Sequence, residues 1–499
     1  MLRGTFELIG DKSISHRSIM FSAISKGNNK VSNFLMGQDC LSTVSCFRKM
    51  GVDIEIAGKD VFIKGNGIRG LKPPTDILDV GNSGTTIRLI MGILAGNDFE
   101  STLIGDESIG KRPMKRVTDP LRMMGCDITG KDDANFTPIT VRGGHLHSID
   151  YKMPVASAQV KSAIILASLY ADGQSIIREK VKSRNHTEIM LKAFGADIKE
   201  NGLDIIVNPV DELFNQDIYV PGDISSAAFI IVGALISEGS EVLIKNVGLN
   251  ETRTGIIDVI KNMNGNIEII DERVVGGEKV GDLLVRYSKD LTATTIDKTI
   301  IPRLIDEIPV IAVLATQAEG TTIIKDAQEL KVKESNRIKT VVDNLKKMGA
   351  DIEELEDGMI IKGKTKLHGA TIETFKDHRI AMAFSTLNLI SAEKIKLDNE
   401  DFYIIKCIFK NTKISEILKN ENIDIDMLKV WLEYLYNNDI LILNRCFYKK
   451  TIYMSNYKYM FFKAITIFII RFLLSIILIN LIIKIPMANI IQYTGVFII

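Results

Sequence analysis

Apolar and polar positions along this chain fall into two segment types, and both recur. The first is an apolar residue, a basic or polar stretch, Met or Phe, a Gly, and then an acidic–apolar alternation. It reads FRKMGVDIEI at 47–56, LRMMGCDITG at 121–130, LKAFGADIKE at 191–200 and LKKMGADIEE at 345–354, with a weaker copy, IKNMNGNIEI, at 260–269. The anchors Gly51, Gly125, Gly195, Asn264 and Gly349 lie about 70–85 residues apart. Each copy predicts a helix stopped by a residue that accepts the left-handed conformation, followed at once by a strand. The second type is a polar start followed by an apolar run of helical length. It occurs at 11–27, 82–96, 157–173, 223–239, 305–320 and 377–393. Runs apolar on every side predict helices buried inside a layered domain. β-branched segments such as KVSNFL, EVLIKNV and TTIIKDA follow them. The repeating unit is therefore strand–helix–strand–helix–strand, six times over, with helices inside, strands outside, and two lobes of three units.

Six buried helices able to aim their N-termini at one cleft would surround it with free N–H groups and partial positive charge. The starts carry Lys12, Ser13 and Arg17; Asn82-Ser83-Gly84-Thr85 with Arg88; Ser157 and Gln159; Asp223 with Ser225 and Ser226; Asp306-Glu307; and Asp377-His378-Arg379. The plainer alternative is that such polar starts are helix caps and nothing more. Two further charged clusters, KRPMKRV (111–117) and KVKESNR (331–337), are either solvated helix faces or anion clamps. Arg112, Arg337 and Arg379 suit the second role, because a guanidinium grips carboxylate or phosphate through two parallel hydrogen bonds. Asp306 and Glu334, acids among cations, are candidates for proton transfer.

Composition narrows the partners. Lys+Arg and Asp+Glu are equal at 62 each, so no general basic field invites nucleic acid, and anion binding must come from local placement. The five cysteines have no zinc-like spacing and suit a reducing cytosol. The opening MLRGTFELIGDKS lacks a leader's charged start and apolar core, and the expected location is the cytoplasm.

The motifs GDKSISHR (10–17), GNSGTTIRLIMGILAG (81–96), IGKRPMKRV (109–117), SAQVKSAIILA (157–167), SRNHTE (183–188), PGDISSAAF (221–229), KVKESNR (331–337) and DHRIAMAF (377–384) stand in one order. In that order and spacing the chain resembles the EPSP synthases, enolpyruvyl transferases, from about residue 2 to about 398. The resemblance implies an α/β fold, a two-lobed inside-out barrel built from βαβαββ repeats. Residues 1–10 with 222–398 would make one lobe and 11–221 the other, hinged near 10 and 222. It implies transfer of the carboxyvinyl group of phosphoenolpyruvate to the 5-hydroxyl of shikimate 3-phosphate, without metal or cofactor, in a monomer. By the same likeness Lys12, Ser13, Arg17, Ser157, Ala158, Gln159, Ser183, Asp306 and Lys333 would hold shikimate 3-phosphate, with Arg184 a candidate addition beside Ser183. Lys12, Gly84, Arg112, Gln159, Arg337 and Arg379 would hold phosphoenolpyruvate. Asp306 matches the base for the 5-hydroxyl proton and Glu334 the carboxylate that handles the proton at the methylene carbon. Lys12 bridges both substrates.

Beyond Asp398 the resemblance stops. The final hundred residues are rich in Ile, Lys, Asn, Tyr and Phe, and hold Gly only at 495 and Pro only at 486. This 399–499 tail reads as helical or apolar, from a frame change, a fusion or a membrane anchor. The run 465–483 is 19 residues long, near the length that spans a bilayer, with Arg471 inside it. Two other readings stay open. One is an inactive or membrane-tethered remnant with a disrupted sixth repeat. The other is a UDP-N-acetylglucosamine enolpyruvyl transferase, which Lys12-Ser13 and the absence of Cys from KRPMKRV disfavour.

Overall fold

The computed structural model describes residues 1–398 except 376, 392 and 394, so the 399–499 tail and its apolar run lie outside the described residues. Each recurring segment folds as its pattern requires. The six apolar runs hold α1 (Lys12–Ile24), α3 (Gly84–Ala95), α6 (Ala158–Ser168), α8 (Ile224–Ile236), α10 (Ile308–Ala315) and α12 (His378–Thr386). All eight residues of α10 and twelve of the thirteen in α8 are buried. Between them lie α2 (Gln38–Lys49), α4 (Lys115–Met123), α7 (His186–Ala193), α9 (Gly255–Asn262) and α11 (Arg337–Lys347), each buried on one side only, and a single turn, α5 (Lys131–Ala134). The five anchors are all left-handed: φ is +81° at Gly51, +98° at Gly125, +94° at Gly195, +61° at Asn264 and +85° at Gly349. A residue in that region turns the chain out of the helix, which is why Gly or Asn recurs there.

The unit carries one strand more than the periodic reading gave it. After α2 come two antiparallel strands, Asp53–Ala57 and Asp60–Asn66, joined at a tight turn where Gly58 has φ +74°. The repeat motif ends inside the first strand, so the periodic pattern does not carry the hairpin partner, which the βαβαββ unit implied by the resemblance does include. The completed sheet runs Ile218–Tyr219, Lys26–Ser32, Asp60–Asn66, Asp53–Ala57, the first pair parallel and the rest antiparallel. Four more sheets repeat this order. The sixth, among the described residues, pairs Thr371–Ile372 with Lys396–Leu397.

Two sheets take an edge strand from far away in sequence. Arg3–Glu7 pairs with Glu241–Gly248, while Ile218–Tyr219 pairs with Lys26–Ser32. The chain therefore crosses between sheets twice, near Gly10 and Gly222, and these two residues form an antiparallel bridge. Asp11 N donates to Pro221 O at 2.7 Å and Asp223 N to Ile9 O at 3.3 Å. A side chain at Gly10 would start 2.1 Å from the Asn33 carbonyl oxygen, so the close approach of the strands excludes any other residue.

Candidate functional site

The crossings bring the starts of the interior helices together. Asp11, Ser83, Ser157, Asp223 and Asp377 do cap their helices, accepting the amides of Ile14, Thr86, Val160, Ser225 and Arg379. The capping reading is thus correct for these residues, yet the residues just past the caps line one cavity of about 260 Å³. Lys12, Ser13 and Arg17 come from α1, Thr85 from α3, and Ala158 and Gln159 from α6. Ser225 and Ser226 come from α8, His378 and Arg379 from α12, Asp306 from just before α10, and Lys333 and Glu334 from the turn before α11.

Asp306 sits at the centre of the charge. Arg184 Nη2 lies 2.7 Å from Oδ2, and Lys333 Nζ and Arg337 Nη1 lie 3.6 and 3.5 Å from Oδ1. Arg379 Nη1 donates to the Asp306 carbonyl at 3.4 Å. Burial alone would raise the carboxyl's pKa, but Arg379, Lys333, Arg184 and Arg337 outweigh it and hold it well below the ordinary carboxylate range. Glu334 is held low in the same way, against its burial, chiefly by Arg337. Arg337 is no solvated helix residue: it is 1% exposed. Its Nε donates to Asp377 Oδ2 at 2.8 Å and its Nη2 to Glu334 Oε2 at 2.6 Å. Asp377 therefore caps α12 and aims Arg337 at once. Arg17 is fully enclosed, donating to Thr187 Oγ1, Ser13 O and Ser162 Oγ, and burial pulls its pKa down to about 10. Burial, with Arg379 beside it, likewise pushes His378 down to about 4, leaving it neutral at pH 7.

Five expected residues, Gly84, Arg112, Ser157, Ser183 and Arg337, do not line the cavity wall. Arg112 donates to Asn82 Oδ1 at 3.2 Å and Ser108 Oγ at 3.1 Å, beside Gly84, where an added methyl would lie 3.2 Å from its Nη1. This pair is joined to the cavity through Arg88, whose Nη1 donates to Gln159 Oε1 at 2.7 Å. Ser157 Oγ accepts the Val160 amide as the α6 cap and keeps its own O–H to donate, whereas the Ser183 hydroxyl donates to Glu179 Oε1 at 2.5 Å. Lys12 Nζ is paired with Asp39. Sequence reasoning missed Arg253, from the TRTG turn before α9, which lines the cavity with its guanidinium between Asp11 and Asp223, at 3.2 and 2.9 Å. A charged residue in a Gly-containing turn carried no signal of burial.

Carboxylates paired with cations, and cations in excess around helix N-termini, make a receptor for small molecules bearing several negative charges. On two lobes of inward-pointing helices, that site defines a two-lobed α/β enzyme of the enolpyruvyl transferase type. The chain belongs to the EPSP synthase (3-phosphoshikimate 1-carboxyvinyltransferase) family, whose sequence model matches residues 1–409. It is 54% identical over 400 residues to the 3-phosphoshikimate 1-carboxyvinyltransferase of Oceanobacillus iheyensis, covering 80% of this chain and 93% of that one. It is 56% identical over 401 residues to that of Bacillus pumilus, covering 80% and 94%. The solved EPSP synthase of Acinetobacter baumannii superposes with a TM-score of 0.76 at 44% identity, covering 81% of this chain and 93% of that one.

Proposed function

We propose that this chain transfers the carboxyvinyl group of phosphoenolpyruvate to the 5-hydroxyl of shikimate 3-phosphate, releasing phosphate. The observation that carries this is the convergence of Lys12, Arg17, Arg184, Lys333 and Arg379 on one cavity around Asp306 and Glu334, with the buried Arg337 paired to both acids from behind. Two phosphates and two carboxylates need such a concentration of cations, and the departing phosphate is stabilised by the same groups.

A proton adds to the methylene carbon of phosphoenolpyruvate, and the 5-hydroxyl oxygen bonds to the adjacent carbon as its own proton passes to Asp306. The tetrahedral adduct then loses phosphate and a methyl proton, restoring the double bond. Glu334, beside Arg337, handles the proton at the methylene carbon. Lys12, Ser13, Arg17, Ser157, Ala158, Gln159, Ser183 and Lys333 are assigned to shikimate 3-phosphate, and Lys12, Gly84, Arg112, Gln159, Arg337 and Arg379 to phosphoenolpyruvate. For Arg112, Ser157 and Ser183 this assignment requires a side-chain rotation or a shift on ligand entry. Lobes 1–10 with 222–398 and 11–221 would close about the crossings at Gly10 and Gly222, excluding water from the adduct. The same reading takes the protein to be a monomer working in the cytoplasm.

Phosphate release from the two substrates tests this. Full-length protein should turn over, and Asp306→Asn and Glu334→Gln should each lose about 10²–10⁴-fold in kcat. Release that survives both substitutions would refute the assignment. A second reading, ligand binding without turnover, is favoured by one fact: after Asp398 the sequence has no further copy of the Gly-anchored repeat segment, its first Gly coming only at 495. Binding of shikimate 3-phosphate without phosphate release, cured by a family-like C-terminus, would establish it.

A further inference from the structure

At the far ends of α3 and α6, away from the cavity, two imidazoles and a carboxylate share one spot on the surface. His147 Nδ1 lies 2.9 Å and His145 Nε2 3.9 Å from Asp172 Oδ2, and one donor atom from each of the three falls within 4.8 Å of the other two. A tetrahedral ion with bonds of about 2.0–2.2 Å needs donors about 3.3–3.6 Å apart, which these side chains reach by small rotations. All three are exposed, His145 at 73% and His147 at 63% of the side chain, so an ion enters freely and keeps water on its open side.

The backbone holds the donors in place. Leu146, buried between the two histidines, bridges to Ala171, and Asp172 N donates to Leu146 O at 2.9 Å. Ser148 N donates to Asp172 Oδ1 at 2.8 Å, leaving Oδ2 for the histidines, and His147 N donates to Met124 O at 2.8 Å. Two segments that are distant in sequence are thus locked together with their donors on one side. Two imidazole nitrogens and one carboxylate oxygen select zinc and its first-row neighbours over magnesium or calcium.

We propose that His145, His147 and Asp172 form a surface site for a divalent transition ion of the zinc class, which staples the 145–148 and 171–172 segments. The site does not touch the reaction. The eleven residues of α6, about 16 Å of helix, lie between its cavity end and the segment that carries Asp172.

Untagged, chelator-stripped full-length protein is titrated with Zn²⁺ by calorimetry and with Co²⁺ by visible absorption. One ion per chain should bind at micromolar Zn²⁺, raise the melting temperature, and give the intense Co²⁺ bands of a four-coordinate site. His147→Gln and the double variant His145→Gln/His147→Gln should bind at least tenfold more weakly and lose the thermal shift. Their metal-free melting temperature and phosphate release should match the parent's. Unchanged binding in both variants, or no retained ion at micromolar Zn²⁺, would overturn the proposal.

Discussion

Replacing Arg253 by Met removes one guanidinium from between two carboxylates that belong to the two crossings of the chain. Arg253 Nη1 lies 3.2 Å from Asp11 Oδ2, and Nη2 lies 2.9 Å from Asp223 Oδ1 and 2.8 Å from Ser225 Oγ. Removing one partner of a buried ion pair costs about 3–5 kcal/mol, because the other charge is left uncompensated. Here part of that cost must depend on pH. Burial, then the neighbouring Asp11, raises the Asp223 pKa from 3.8 to about 6 even with Arg253 present. Without Arg253 it rises further, and the folded protein takes up a proton to stay folded. At pH 7.5 that proton costs about 1.5 pH units beyond the native midpoint, or about 2 kcal/mol at 1.36 kcal/mol per unit. At pH 5.5 the native protein already holds the proton, so this portion vanishes. The sign is fixed: the variant's deficit shrinks as pH falls from 7.5 to 5.5. Urea unfolding followed by far-UV circular dichroism at both pH values measures it. An equal deficit at the two pH values, or none at pH 7.5, would refute the clamp.

Three other substitutions probe separate links. Lys161 is 1% exposed between Glu179 at 3.0 Å and Glu188 at 2.7 Å, so Lys161→Met should cost about 3–5 kcal/mol in urea unfolding. Because Glu179 also holds Ser183, the same variant should raise the KM for shikimate 3-phosphate. An alanine methyl at Gly92 would start 2.2 Å from Ala163 O, where α3 meets α6. Helix propensity favours Ala by up to about 1 kcal/mol, whereas overpacking costs about 1–3 kcal/mol, so a lower melting temperature is expected and a higher one would contradict the packing. Arg337→Lys keeps the charge but loses the fork shared by Asp377 and Glu334, so kcat/KM for phosphoenolpyruvate should fall about 10–100-fold in the phosphate-release assay.

What the sequence disclosed was what local patterns encode. Helices apolar all round, and Gly or Asn where φ must turn positive, repeat at a fixed interval because each unit meets the same backbone problem. Two-residue edge strands such as Leu78–Asp79 have no such signature, since they exist only by pairing with a neighbour. Arg253 was invisible for a related reason: its partner Asp11 lies 242 positions away, and only the crossing of the chain makes that pair buried. The site residues were legible as types at helix starts, but not their rotamers. Ser183 turned to Glu179, and Arg112 held at the margin by Asn82 and Ser108, are decided by packing among neighbours.

The electrostatics of Asp306 bear on how such a site works. In the free protein Arg379, Lys333, Arg184 and Arg337 make it a poor base, since each favours the ionised form. A substrate phosphate or carboxylate entering the cavity pairs with those same cations and cancels their field at Asp306. If Asp306 is the base proposed for the 5-hydroxyl, its proton affinity would develop as the anions arrive. Arg184 is the most direct case, because its 2.7 Å pairing with Asp306 must loosen if the guanidinium is to turn to a phosphate. An empty cavity then holds a carboxylate that abstracts protons weakly, and a filled one a carboxylate that does so well. On that proposed role, base strength would be set by occupancy, and the surplus of cations that recognises the ligands would also restrain the chemistry until both are bound.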